Sequence, residues 1–309
     1  MNVTPVRLIL LSFKEIHMEI RTLRYFLAVA REENMTRAAE LLHVTQPTLS
    51  KQIHSLEDEL GKKLFTRHSF SIRLTEEGML LRERAEDLVS MADKITGEFL
   101  SLDDITGGDI YLGLAESYQI SYVAKSIAAL KKLYPGLYYH IQSGDTEQII
   151  DKMDKGILDF VVLAEQPDTA KYDYLPFPKA DRWGVVMPCS SPLAKKKHIR
   201  FNDLIGHPLF CSDQAWEGDI ADWCNGRQDE LTLEGTFKLS YNGSIFAKEG
   251  LGYLLTFDKI VDTSESSGLT FRPLSPKLET KLYLAWKKGQ QFSAMAERFL
   301  SQIRIEFEN

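Results

Sequence analysis

The chain has 309 residues, 44 % of them apolar, with 37 Lys/Arg against 44 Asp/Glu and a formal charge of −7. It is long enough for about two domains with their own cores, and too acidic for indiscriminate nucleic-acid binding. Cys189, Cys211 and Cys224 are too few and too scattered for a disulfide framework or a metal site, and no apolar run approaches the ~20 residues of a membrane span.

In chain order, residues 1–17 read as an extension outside the fold, since Met18 is a plausible start of its own; the alternative is an extra helix from Val6 to Phe13. Leu8 to Leu11 is too short for a signal-peptide core, so a cytoplasmic protein with no membrane partner is expected. Leu23, Phe26, Leu27 and Ala30 recur at i, i+3, i+4 and i+7, the stripe of a helix with one buried face. A shorter helix follows, with Thr36 as its cap, Ala38 and Ala39 for close backbone packing, and Leu41 and Leu42 as buried neighbours. His43 and Val44 fill a tight turn. Thr45 then caps a third helix, in which Pro47 is tolerated because first-turn N–H groups have no intrahelical partner.

On that third helix Leu49, Ile53, Leu56 and Leu60 form one stripe, and Pro47, Ser50, Lys51 and His54 fall on the opposite side. No acidic residue occurs between Val44 and Leu56, so this face suits phosphate. A helix-turn-helix puts the N-terminal residues of its second helix against base edges. Gln46 then suits adenine, Lys51 guanine or a phosphate, and the hydroxyls of Thr48 and Ser50 either role. Asp58 shares the face of Lys51 but lies about 10 Å further along the helix. Beyond Gly61, Lys62, Lys63, Arg67, His68 and Arg73 fall in a hairpin-like basic wing. The candidate DNA contacts are Thr36, Arg37, Gln46, Pro47, Thr48, Ser50, Lys51, His54, Arg67 and Arg73. From pattern alone an ordinary three-helix element with a solvated polar face also fits. Residues 18–75 carry nine Lys/Arg against seven Asp/Glu, whereas 76–108 carry three against nine, so the charge changes sign at the wing.

The same stretch resembles the N-terminal domain of LysR-type transcriptional regulators. The resemblance rests on Leu23-Arg24-Tyr25-Phe26, Thr36-Arg37-Ala38-Ala39-Glu40-Leu41-Leu42, Thr45 to Ile53, Leu56-Glu57-Asp58-Glu59-Leu60-Gly61, Leu64-Phe65-Thr66-Arg67 and Leu74-Thr75-Glu76-Glu77-Gly78. It implies a winged helix-turn-helix with Gln46, Pro47, Thr48, Ser50 and Lys51 at the reading positions. Lys51 stands where arginine is more usual, which weakens bidentate reading of guanine.

Thr75 then caps a long helix in which Leu81, Ala85, Leu88, Ala92, Ile95 and Phe99 follow at alternating +4 and +3 spacing. That 3.5-residue seam predicts dimerisation, the alternative being packing on the chain's own C-terminal half. Asp103, Asp104, Gly107 and Gly108 mark its end and a hinge.

A β-α-β texture follows, with strands over 109–115, 137–143 and 158–164, helices over 118–134 and 148–155, and a parallel sheet implied. A second set holds strands over 183–187, 208–211, 236–239 and 253–256, with a helix after Asn242. The chain is expected to return to the first set through 269–274 and 281–286, closing with an amphipathic helix over 292–307. This half resembles the LysR effector domain, itself similar to periplasmic solute-binding proteins, through Leu133-Tyr134-Pro135-Gly136, Asp154 to Phe160, Ser191-Pro192-Leu193-Ala194 and Glu249-Gly250-Leu251-Gly252-Tyr253. The expected fold is an α/β multidomain chain: extension 1–17, an all-α winged helix-turn-helix over 18–75, a linker helix and hinge over 76–108, and a two-lobed α/β effector domain over 109–309. Lobe I takes about 109–180 and 262–309, and lobe II about 181–261.

Ligands of such sheets bind beyond the carboxyl ends of strands, where helix N-termini begin. Glu116, Ser117, Asp145, Thr146, Asp213, Gln214, Asn242 and Ser244 are the candidate effector residues, although Ser, Thr, Asp and Asn there also serve simply as caps. Carboxylates near three of the strand ends favour an amine-bearing or neutral polar effector over a dicarboxylate. An enzyme lacks support: the histidines are dispersed and no metal, nucleophile or phosphate-loop pattern accompanies them. A periplasmic solute-binding protein fits the C-terminal half alone. The expected partners are double-stranded DNA, a small-molecule effector, a second copy in a dimer or tetramer, and RNA polymerase; no cofactor or metal is expected.

Overall fold

The computed structural model describes residues 18–67, 72–100 and 106–308, in two units that divide between Thr96 and Gly97. The 1–17 extension, His68, Asp103 and Asp104 lie outside the described residues.

The first unit is built from α1 (Ile20–Glu32), α2 (Met35–Leu41), α3 (Gln46–Leu60), the antiparallel pair β1 (Phe65–Arg67) and β2 (Ile72–Leu74), and α4 (Glu76–Leu100). Leu23, Phe26 and Val29 of α1 meet Ala38 and Ala39 of α2 and Leu49, Ile53 and Leu56 of α3 in one buried cluster; of the expected α1 stripe, Leu27 and Ala30 pack against it only half-buried, and Val29, outside that stripe, is fully buried. Asn34, not Thr36, caps α2: its side chain accepts from the amides of Thr36 (2.9 Å) and Arg37 (3.0 Å). One Asx side chain thereby satisfies two orphan donors, and Thr36 becomes a first-turn residue. Leu41 is 50 % exposed rather than buried, because α2 ends there and Leu42 turns inward instead. Thr45 caps α3 as expected, accepting from Thr48 N at 3.3 Å. His43 takes a left-handed φ of 54° in the turn between α2 and α3.

Glu57 fixes the wing to the reading helix. Its carboxylate, 5 % exposed, accepts from Leu64 N (2.9 Å) and Phe65 N (3.4 Å) and pairs with Lys63 Nζ at 2.7 Å. Burial pushes its carboxyl up, but Lys63 and the two amides outweigh burial and hold it below the usual range.

The second unit has two sheets. The first is formed by β3 (Gly107–Leu114), β4 (Gly136–Ser143), β5 (Phe160–Leu163) and β6 (Tyr172–Pro176), with α5 (Ile120–Leu133) and α6 (Thr146–Asp154) between strands. The second begins with β7 (Asp181–Pro188) and β8 (Ile199–Arg200), followed by the short α7 (Phe201–Leu204) and by β9 (Pro208–Cys211). It continues through α8 (Asp213–Glu217), α9 (Asp219–Cys224), β10 (Thr232–Thr236), α10 (Ser240–Lys248), β11 (Tyr253–Phe257), β12 (Leu269–Ser275) and β13 (Glu279–Thr280). The chain then rejoins the first sheet as β14 (Tyr283–Lys287) and ends in α11 (Ala294–Glu308).

The first sheet is mixed rather than all-parallel: β4, β3 and β5 run parallel, while β14 lies antiparallel between β5 and β6. A second difference concerns the return. Strand β12 pairs antiparallel with β7, from Leu269↔Pro188 to Pro273↔Gly184, so residues 262–280 stay with the second sheet. Alternating apolar residues report which face of a strand is buried and not which sheet it joins. Strand β10 ends at Thr236, where a strand was expected to begin, and α10 starts two residues before Asn242. Ile110, Leu112, Phe160, Leu284 and Phe299 anchor the first lobe's core, and Val185, Met187, Leu209, Cys211 and Leu255 that of the second.

Glu57→Ala leaves the Leu64 and Phe65 amides without their acceptor, a loss of about 1–3 kcal/mol. Amide exchange at those two residues in the full-length chain should accelerate accordingly. A carboxyl whose folded pKa is depressed gives its full stabilisation above the unfolded value and loses it as pH falls through the folded one. Protection in the wild type should therefore decline on acidification through the carboxylate range. Equal protection in the variant would contradict the role given to Glu57.

Candidate functional site

The N-terminal end of α3 presents Gln46, Pro47, Thr48 and Lys51 exposed and Ser50 half-buried, all on the side away from Leu49, Ile53 and Leu56. The Thr48 hydroxyl lies 2.8 Å from that of Thr45. His54 is partly engaged inward, with Nδ1 3.3 Å from the Glu57 carboxylate. The Arg37 guanidinium donates to Glu32 O at 2.6 Å, closing the end of α1 onto α2. Arg73 is exposed on β2 opposite Thr66, and Arg67 ends β1 opposite Ile72. Two wing lysines are committed within the unit: Lys63 to Glu57, and Lys62 to Glu77 at 3.4 Å.

The seam on α4 divides. Ala85 is buried, and Leu81 packs beside it, in the core of the first unit, so these two serve that core. Leu88, Ile95 and Phe99 are 44 %, 47 % and 71 % exposed, and Ala92 is half-buried. The sequence spacing merged two adjacent rows, one turned inward and one outward.

In the second unit a cleft of ≈ 530 Å³ opens between the two sheets. Its lining includes Glu116, Asp145, Thr146, Asp213 and Gln214, five of the eight residues expected there. Three hydrogen bonds cross it: Ser240 N donates to Glu116 Oε2 (2.6 Å), Lys238 Nζ to Asp145 Oδ2 (2.9 Å), and Gln214 Nε2 to Thr146 Oγ1 (2.9 Å). Lys238 holds the Asp145 carboxyl below the usual range, and Asp145 in turn raises the Lys238 ammonium. Asp145 also caps α6, accepting from Gln148 N at 3.0 Å.

Ser117, Asn242 and Ser244 are not among the lining residues. Ser117 Oγ donates to Asp181 in a short bond and accepts from Gln119 N, so its hydroxyl is used within the hinge. Asn242 sits exposed in the first turn of α10, and buried Ser244 donates to Tyr241 O at 2.7 Å. Because α10 starts earlier than expected, its N-terminal residue at the cleft is Ser240, whose hydroxyl lies 3.0 Å from that of Thr256.

Sequence reasoning missed Trp183, Asp219, Lys238, Ser240 and Thr256. Trp183 is 4 % exposed; its Nε1 donates to Thr280 Oγ1 (2.7 Å) and to Asp219 (3.2 Å), and its ring centroid is 4.3 Å from that of Phe257. A tryptophan two residues into the strand after a lobe crossing was the available signal. Burial raises the Asp181 carboxyl against the pull of its Ser117 and Gln119 hydrogen bonds.

Residues 20–79 match the pattern described as "Bacterial regulatory helix-turn-helix protein, lysR family", and residues 105–308 that described as "LysR substrate binding domain". The chain is 28 % identical to the Hca operon transcriptional activator HcaR of Escherichia coli (strain K12), covering 91 % of this chain and 95 % of that one. It is 26 % identical to a hydrogen peroxide-inducible genes activator of Pectobacterium carotovorum subsp. carotovorum, covering 93 % and 96 %. The fold is shared with full-length CbnR complexed with its target DNA (TM-score 0.72, 17 % identity, 94 % of this chain and 100 % of that one). It is shared also with HinK of Pseudomonas aeruginosa (TM-score 0.56, 21 % identity, 94 % and 98 %). With a helix-turn-helix and wing in the first unit, a two-lobed cleft in the second and both halves matching, this chain belongs to the LysR family of DNA-binding transcriptional regulators.

Proposed function

We propose that this regulator works in the cytoplasm as a homodimer, reads DNA through Gln46, Thr48, Ser50 and Lys51, and is switched by a small molecule held between the lobes at Glu116, Asp145, Thr146, Asp213 and Gln214. The observation that carries the switch is the cleft itself: ≈ 530 Å³ of space, spanned by three hydrogen bonds that must rearrange if the lobes move. A ligand shifts that equilibrium only by binding one lobe arrangement better than the other. RNA polymerase is the proposed further partner, in keeping with a regulator of transcription. No helix among the described residues is long and apolar enough to cross a membrane, which is compatible with this placement.

A peroxide response is named for several relatives. Cys189 is exposed, whereas the other two cysteines are poorly suited to such a response: burial pushes the Cys211 thiol up to about 12 and that of Cys224 up to about 11. Thiols so held stay protonated near neutrality and make poor nucleophiles.

On the DNA side, Gln46→Ala and Ser50→Ala should each cost about 1–3 kcal/mol at a cognate site and relax base preference, whereas Lys51→Ala should lower the salt slope by about 1. Sites selected from a random duplex library by wild type and variants provide the comparison. Identical selected motifs would remove these residues from the interface.

Leu88, Ile95 and Phe99 offer a second copy the apolar row that α4 leaves uncovered. Leu88→Asp places a charge in that contact and should dissociate the dimer, and the wild-type site should be an interrupted inverted repeat. Sedimentation of the folded variant decides: an unchanged oligomer moves the interface elsewhere.

Ala164 lines the cleft, and Ala164→Trp should obstruct it. A reporter driven by the selected site should then give one fixed output across growth conditions under which the wild type varies. Variation equal to wild type would take the switch out of this cleft.

A further inference from the structure

We propose that the effector of this cleft carries a protonated amine, and that in the unliganded chain the Lys238 ammonium occupies the place of that amine. The inference rests on the cleft being the effector site and names the chemistry it takes.

The lining is one-sided in charge. Asp145, Glu147 and Glu165 come from the first lobe and Asp213, Glu217 and Asp219 from the second, and Lys238 is the one cation among the described lining residues. Lys238 reaches from beyond β10 across to Asp145 at 2.9 Å, and Asp213 and Glu147 add their attraction at the same ammonium. Carboxylates of both lobes therefore converge on a single cation supplied by the chain itself.

The direction of the crossing bonds gives a second, independent reason. In all three the acceptor belongs to the first lobe and the donor to the second: Glu116, Asp145 and Thr146 accept from Ser240 N, Lys238 and Gln214. A ligand that displaces them must bring hydrogen-bond donors to the first lobe and acceptors to the second, and an ammonium brings three donors.

A carboxylate ligand finds the helix N-termini of α6 and α10 already occupied. Helix N-termini are the natural anion sites of such a cleft, yet Asp145 already accepts from Gln148 N at the start of α6, and Glu116 takes Ser240 N at the start of α10. The chain's own carboxylates fill those places, so an added anion meets like charge where it needs donors. Trp183, Phe237, Phe257, Leu255 and Ile260 supply apolar lining for the ligand's body, and aromatic faces attract an alkylammonium further.

The test is calorimetric titration of the full-length chain with phenethylamine, hexylamine and 1,5-diaminopentane, each set against the alcohol and carboxylate of matched length. At least one amine should bind at least tenfold more tightly than its carboxylate. Asp213→Asn or Glu147→Gln should weaken that amine severalfold. Lys238→Met should instead tighten it by about threefold, the size of a modest exposed ion pair removed as competitor. A merely structural Lys238 would yield no gain. Carboxylate binding that Ala164→Trp abolishes, without amine binding, overturns the cation while leaving the cleft as the effector site. Amine binding that survives Ala164→Trp undiminished overturns both. No binding of any amine at millimolar concentration also overturns the proposal.

Discussion

Three hydrogen bonds span the cleft between the lobes of the effector half, and the consequences for switching follow from how weak each one is. The Asp145–Lys238 pair and the Gln214–Thr146 bond join exposed or half-exposed groups, and such contacts contribute on the order of 0–1 kcal/mol apiece. The Ser240 N to Glu116 bond is better sheltered and involves a charge, about 1.5–3 kcal/mol. Their sum is a few kcal/mol. Moving a two-state equilibrium from about 1:99 to 99:1 requires ≈ 5.5 kcal/mol of differential binding. Bonds this weak are within reach of the differential binding of a small ligand, whereas a cleft closed by a large apolar interface would not yield to it.

What the lobes turn about is stiffer. The outgoing and returning crossings lie side by side as an antiparallel ribbon, with Asp181 opposite Thr280 and Arg182 opposite Glu279. Trp183 donates to Thr280 and to Asp219, and Thr280 donates to Asp219 in a short bond, so the ribbon is tied to the N-terminus of α9. Ser117 and Gln119 tie Asp181 to the start of α5. Polar groups that are buried and mutually satisfied resist independent movement, since breaking one leaves another unpaired. Motion is thereby channelled away from the ribbon and toward the rim where Asp145, Thr146 and Glu116 meet their partners.

The sequence disclosed most where one periodicity served one environment. The stripes of α1 and α3 each face a single core, and β3, β5 and β9 are short buried runs bounded by turn residues. It disclosed less where one pattern had two uses. The heptad seam of α4 combined Leu81 and Ala85, which pack inward, with Leu88 and Ile95, which do not. Strand β12 had the alternation of any half-buried strand, which carries no label for its sheet. Ser117 and Ser244 have the residue type of both a cap and a ligand contact, and the structure uses their hydroxyls internally. Lys238 was invisible for the opposite reason: a lone lysine after a strand reads as a solvated surface charge, and only the placement of Asp145 on the other lobe gives it a partner.

The DNA-binding end obeys a related economy of charge. Glu57 takes Lys63 and draws His54 toward it, and Glu77 takes Lys62, so several cations near the wing spend their charge within the unit. Each copy would then bring fewer phosphate contacts than its count of Lys and Arg suggests, and the chain's net −7 opposes the approach of DNA at long range. Affinity from counterion release grows with the number of phosphates neutralised. One reading helix with Gln46, Thr48, Ser50 and Lys51 at its tip is then better suited to selecting bases than to holding DNA unaided. Joining two such helices turns the second contact into an intramolecular event at high effective concentration, which raises occupancy without adding charge. If the exposed row of α4 makes the dimer contact proposed for it, dimerisation converts a selective but weakly charged reader into a tight one.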